Sequence, residues 1–254
     1  MSILAKAEAQ KIIDYYGISS PQEIDLNILS AGLGVYIEEK DIGGSEGRIT
    51  HNGKKGIIVV DSKITYVPKK RFTIAHELGH FKLHKNTKLF GCDEKTFYDW
   101  HREDSQESEA NVFAAELLMP ENMFRKFVKG KMISLDLLME TSKLFGTSLT
   151  STAFRYSDIG PHPIAIVFCV DRSVRWSNIN QDFAYKFIRN GMKISQNSYT
   201  FDFFEGNEIP KTPEEIPLDA WFSESFSFEP NKFIFEQCFP LTGLNAILVI
   251  LWEK

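Results

Sequence analysis

Residues 71–80 read Arg-Phe-Thr-Ile-Ala-His-Glu-Leu-Gly-His, so two histidines stand four apart and a glutamate directly follows the first. This spacing has chemical meaning on an α-helix, where positions i and i+4 lie one turn plus about 40° apart and both imidazoles lean toward one point. Pro68 suits the first turn of such a helix, which the pattern extends to about His84. On a wheel of about 100° per residue, Phe72, Ala75, Leu78, Gly79 and Leu83 form one apolar face. His76 and His80 fall on its flank, with Glu77 about 60° beyond His80. The expectation is a half-buried helix with its histidines at the edge of the core. Two neutral imidazoles suit Zn2+, and Glu77 beside the metal can take a proton from water. The plain alternative is a helix that merely contains two histidines.

A zinc hydrolase site needs a third protein ligand and one position for water. His84 lies on the same stripe, but three consecutive turns curve away from one point, so His76, His80 and His84 do not readily share a metal. A metzincin would carry Gly at position 83 and His at 86; the sequence has Leu83 and Asn86. Glu107 is the better candidate. It opens a helix expected over Ser105–Met119 and stopped by Pro120. The apolar residues Ala110, Phe113, Ala114, Leu117 and Leu118 recur there at i, i+3, i+4, i+7 and i+8. Glu107 borders that face by about 50°, whereas Glu109 lies more than about 100° away. Two other readings stay open at this point: Asp104-x-x-Glu107 matches a capping box, and Glu109 could be the ligand. Asn111, one turn past Glu107, could hydrogen-bond a ligand.

Upstream, the pattern gives helices over 3–16 and about 24–31. Strands follow at 35–38, 47–50 and 56–60, joined at Gly43-Gly44 and by the hairpin signal Asn52-Gly53. Residues 85–103 read as a polar loop, and further helices as 136–145 and 148–156. Strands beside helices, not alternating with them, predict an α+β domain. Around residue 160 the character changes: 12 of 21 phenylalanines and three of four tryptophans come later. Strand-like runs at 163–170, 173–178, 198–204, 226–228, 232–237 and 245–251, with a helix near 182–190, predict a mixed α/β second domain. The expected domains are 1–157 and 158–254, sizes that one 254-residue chain accommodates.

A net charge of −5 argues against a broad nucleic-acid-binding face. The basic cluster Lys69-Lys70-Arg71 reads as a solvated helix end. No apolar run is long enough to span a membrane, and the start lacks a signal-peptide core. Three widely spaced cysteines form neither a disulfide framework nor a paired metal motif. These features place the chain in the cytoplasm.

Arg71–His84 (RFTIAHELGHFKLH) followed by Glu107–Pro120 (ESEANVFAAELLMP) closely resembles the ImmA/IrrE family of metallopeptidases, over about residues 1–157. The resemblance implies a zincin-like domain and a gluzincin-like site: one Zn2+ per chain held by His76, His80 and Glu107, with Glu77 as catalytic base. It also implies a protein substrate, a helix-turn-helix transcriptional repressor or antitoxin cleaved in a stress or mobile-element response. A regulator that binds such a repressor without cutting is the alternative. Many relatives carry an N-terminal helix-turn-helix domain, whereas this sequence opens in the peptidase region, so the repressor is expected as a separate protein. Some relatives end in a sensor-like domain of the GAF type. That extends the expectation to residues 158–254, where a small-molecule sensor and a partner-binding platform both stay open. Candidates for stabilising the oxyanion are Tyr66, Tyr98, His101 and Tyr156.

Overall fold

The computed structural model describes residues 2–84, 89–92, 105–222, 231–241 and 245–253. The chain divides into two compact units, residues 1–127 with 141–148 and residues 128–140 with 149–254.

In the first unit, helix α1 (Ile3–Tyr15) is capped by the Ser2 hydroxyl and buries Ala5, Ala9, Ile12 and Ile13, the stripe that the helical period predicts. After a 3-10 turn at Pro21–Glu23 comes α2 (Leu26–Gly32), capped by the Asp25 carboxylate, which accepts from the Asn27 and Ile28 N–H groups. Strands β1 (Val35–Lys40), β2 (Gly47–His51) and β3 (Gly56–Asp61) follow. The β2–β3 hairpin turns where expected: Asn52 Oδ1 accepts from the Lys54 and Lys55 N–H groups, and Gly53 takes φ +83°. With β4 (Leu89–Cys92) the sheet order is β1-β3-β2-β4. β1 and β3 are parallel, and the other pairs are antiparallel. The 85–103 segment was expected to be loop throughout, so the β4 pairing with β2 is a difference. Its cause is long-range: β2 offers a free edge that local sequence does not announce.

Alternation buries Gly47, Ile49 and His51 of β2, and Gly56, Ile58 and Val60 of β3. Helix α3 (Val67–Leu83) packs on this face, and α4 (Ser105–Leu118) packs on α3. From Phe72 to Phe81 every residue of α3 is buried, not one face only as the wheel predicts. The wheel counts apolar residues, but the stripe of Thr73, His76, Glu77 and His80 is covered as well. α4 buries the predicted Ala110, Phe113, Ala114, Leu117 and Leu118 completely. Its two leucines and one phenylalanine contribute roughly 5–9 kcal/mol of gross transfer free energy, enough for packing to set where its first turn lies. Helix α5 (Glu121–Val128), not anticipated, starts beyond Pro120, and Phe124 packs against Phe145 near the end of α6 (Leu135–Phe145).

The basic cluster is spent on local partners. Lys69 pairs with Glu46 at 2.7 Å, Lys70 with Glu39 at 2.7 Å, and Arg71 donates to the Ile24 carbonyl. Among the described residues no helix is long and apolar enough to cross a membrane.

In the second unit, α7 (Leu149–Ile159) leads into β5 (Ala165–Val170) and β6 (Ser173–Ile179). Asp171 and Arg172, both at positive φ, make the two-residue turn between these strands. α8 (Tyr199–Glu205), β7 (Glu214–Pro217), α9 (Asp219–Phe222), β8 (Phe233–Leu241) and β9 (Ala246–Trp252) complete an antiparallel sheet of order β6-β5-β9-β8-β7. Central β9 is buried at every position. Trp176 lies against both Phe154 and Phe168, so these aromatics are core. Cys169 and Cys238 are free and buried.

Two expectations fail here. Residues 198–204 alternate like a strand but form α8, because Ser198 caps it and buried Glu236 on β8 accepts from Ser198 Oγ (2.7 Å), the Tyr199 N–H (2.8 Å) and Thr200 Oγ1 (2.8 Å). At the far end, Arg172 donates to the Phe204 carbonyl and pairs with Glu205. Residues 182–190 form no helix. Phe183 and Tyr185, two apart, point into a cluster with Phe222. The expected strand at 226–228 lies outside the described residues.

Candidate metal centre

Helix α3 carries His76 and His80 one turn apart, with their Nε2 atoms 3.0 Å from each other. The first turn of α4 brings in Glu107, whose Oε2 is 3.2 Å from His76 Nε2 and whose Oε1 is 3.3 Å from His80 Nε2. Among the described residues these three side chains form a group able to hold a metal, their donor atoms all within 4.8 Å of one another. Two glycines make the approach feasible. A Cβ on Gly79 would stand 3.0 Å from Ala110 Cα and 3.2 Å from its carbonyl oxygen, so only a bare Cα lets α4 lie this close to α3. A Cβ on Gly47 would stand 2.5 Å from Thr73 Cγ2 and 3.1 Å from Glu77 Oε1. The backbone of β2 therefore lies directly against the Glu77 side chain.

Hydrogen bonds orient the donors. His76 Nδ1 meets Asn111 Oδ1 at 2.8 Å; an amide oxygen only accepts, so Nδ1 carries the proton and Nε2 presents a lone pair. That lone pair faces a carboxylate, an arrangement that repels unless a cation lies between the two. Burial lowers the His80 pKa to about 4, and His76 and His84 add to this against the pull of Glu107. Burial also works to lower His76, but the hydrogen bond and charge of Glu107 and the charge of Glu77 outweigh it and raise its pKa. Burial would raise Glu107, yet its bonds to the two histidines hold its carboxyl well below the usual range. A proton in the cluster is thus attracted as a divalent metal would be.

The donor set fits such a metal. Ligands about 2.0–2.1 Å from a tetrahedral Zn2+ are separated by roughly 3.3 Å, and the observed spacings are 3.0, 3.2 and 3.3 Å. The other sequence candidates fall elsewhere. Glu109 Oε2 meets His84 Nε2 at 3.1 Å, and His84 Nδ1 meets His80 Nδ1 at 3.0 Å. Asp104, the first residue of the alternative capping box, lies outside the described residues, as do Tyr98 and His101. Tyr66 is exposed at the start of α3, ten residues and so about 15 Å along the axis from His76. Tyr156 is buried within the second unit. Gly47 was not anticipated, although a glycine inside a strand pattern is a signal of close backbone approach.

Two imidazoles from one helix, a carboxylate from a second, and a glutamate next to the first imidazole define a metal-dependent peptidase type of centre. The chain belongs to the IrrE N-terminal-like domain family of peptidases, whose model matches residues 31–157. It is similar to Uncharacterized immunity region protein 2 of Bacillus phage phi105, 31% identical over 122 residues that cover 46% of this chain and 70% of that protein. It is also similar to metallopeptidase ImmA of Bacillus subtilis, 29% identical over 127 residues, covering 48% and 66%. Similarity to the radiation response metalloprotease IrrE of Deinococcus radiodurans runs further, 26% over 265 residues, covering 90% of this chain and 79% of that one. Among solved structures, a Mycobacterium tuberculosis transcriptional regulator has a TM-score of 0.59 at 14% identity, covering 98% of this chain and 75% of that one. That last likeness is one of fold alone.

Proposed function

We propose that this chain is a zinc-dependent endopeptidase that cleaves a helix-turn-helix transcriptional repressor or antitoxin in an immunity or stress response. The observation that carries the reading is the convergence of His76, His80 and Glu107 at near-tetrahedral spacing, with Glu77 held beside them under Gly47. The repressor as substrate rests on the family resemblance, and relatives named for an immunity region and for a radiation response accord with it. The enzyme would act inside the cell on a protein partner, with no direct contact to nucleic acid. Residues 158–254 would serve as a sensor, GAF-like in type, or as a platform for a partner.

His76, His80 and Glu107 would hold one Zn2+, which when bound supplies Lewis acidity toward the scissile carbonyl and toward water. Glu77 is the base: it removes a proton from the attacking water and returns it to the departing amine. Burial of Glu77 and both histidines keeps bulk water from competing for that proton. Asn111 keeps the His76 ring turned so that Nε2 points inward.

The test pairs elemental analysis with cleavage of a candidate helix-turn-helix repressor, taken from among any encoded beside the gene. Wild-type protein is expected to hold one zinc per chain and to cut. Glu77→Gln is expected to keep the zinc and lose cleavage. Cleavage at the wild-type rate by Glu77→Gln would remove the base assignment. Zinc without cleavage in the wild type would favour the binding-only regulator.

A further inference from the structure

We infer that Glu109 acts through His84 to fix the tautomer of His80, so that a carboxylate–imidazole relay outside the ligand set presents the second histidine to the metal. The inference rests on the metal-site reading above. Ser2 Oγ, at the cap of α1, donates to Glu109 Oε1 at 3.1 Å. Glu109 Oε2 lies 3.1 Å from His84 Nε2, His84 Nδ1 lies 3.0 Å from His80 Nδ1, and His80 Nε2 faces the donor cluster. The polarity of this chain follows from its ends. An ionised carboxylate only accepts, so His84 Nε2 carries the hydrogen. A neutral imidazole has one N–H, so His84 Nδ1 is an acceptor and His80 Nδ1 must donate to it. His80 Nε2 is then left with its lone pair directed inward.

His84 is the C-cap of α3, one turn beyond His80, and its ring lies beside the Nδ1 edge of His80, away from the Nε2 edge that faces Glu107. The two ligand histidines thus reach one tautomer by different means: His76 through the amide of Asn111, and His80 through an imidazole backed by a carboxylate. Glu107 Oε1, 3.3 Å from His80 Nε2, competes for the same proton in metal-free protein. With a metal on Nε2 that competition would end, and the hydrogen would sit on Nδ1, where His84, backed by Glu109, accepts it. Glu109 and His84 are therefore positioning residues, of the kind whose loss lowers metal affinity about 10–100-fold.

Two measurements test this. In metal-free wild-type protein labelled with 15N, long-range proton–nitrogen correlations of the imidazoles should show His84 as the Nε2–H tautomer. His84 protonated on Nδ1 would overturn the relay. Zinc affinity by chelator competition should fall about 10–100-fold in Glu109→Leu, whose side chain touches no metal ligand. It should return to within a few-fold of wild type in Glu109→Gln, which keeps an accepting oxygen. Equal affinity in Glu109→Leu and wild type would overturn the proposal. A wild type that binds no zinc would instead remove the metal-site reading and leave the tautomer result standing on its own.

Discussion

Replacing Gly79 by alanine should separate metal affinity from stability. The new Cβ would sit 3.0 Å from Ala110 Cα and 3.2 Å from its carbonyl oxygen, and neither is a side-chain end that can rotate away. Relief to an ordinary carbon contact of about 3.5–4.0 Å moves α4 from α3 by roughly 0.5–1 Å. Overpacking of this kind costs about 1–3 kcal/mol, while alanine gains about 1 kcal/mol over glycine in a helix interior. The net loss of stability is then only about 0–2 kcal/mol. The metal centre has less slack. Ligand distances tolerate about ±0.2 Å, and the whole displacement falls on the side that supplies Glu107. Chelator competition should show zinc binding weakened at least about 10-fold, while the metal-free protein melts within a few degrees of wild type. Wild-type zinc affinity in Gly79→Ala would refute the claim that this close helix contact sets the position of Glu107.

Other substitutions divide the site by role. Glu107→Ala should lose the zinc, seen by elemental analysis, together with cleavage. In Glu77→Gln, zinc should stay and cleavage should fall by about 10²–10⁴-fold, the usual contribution of a general base. Gly47→Ala should also keep its zinc, because the added Cβ meets Thr73 and Glu77 and no ligand. Its defect should lie in turnover, and a selective rise in KM would contradict that. Phe113→Ala should destabilise the metal-free protein by about 3–5 kcal/mol in chemical denaturation, as a fully buried phenylalanine does.

The parts of this structure that sequence discloses are those set by local period. The stripes of α1 and α4, the hairpin at Asn52-Gly53 and the pairing of His76 with His80 each depend on residues within a turn or two. Glu107 was legible as a border position on an amphipathic helix, and the structure brings it to the two histidines. What stayed hidden depends on distant partners. The burial of Thr73 and Glu77 comes from β2, and the helix at 199–205 forms against a carboxylate on β8. In the sequence, His84 and Glu109, 25 residues apart, read only as two separate candidates for a metal ligand. Only the fold shows that they bond to each other.

Helix α8 has a further consequence for the second unit. Seven residues are too few to be helical in water on their own, and Thr200 is its one fully buried side chain. Its order comes from polar contacts at its two ends, Glu236 beneath the first turn and Arg172 across the last. It works as a strap buckled to β8 at one end and to the β5–β6 turn at the other. Loosening either buckle would release the half-buried Phe201, Phe203 and Phe204 while leaving the β8–β9 and β5–β9 ladders paired.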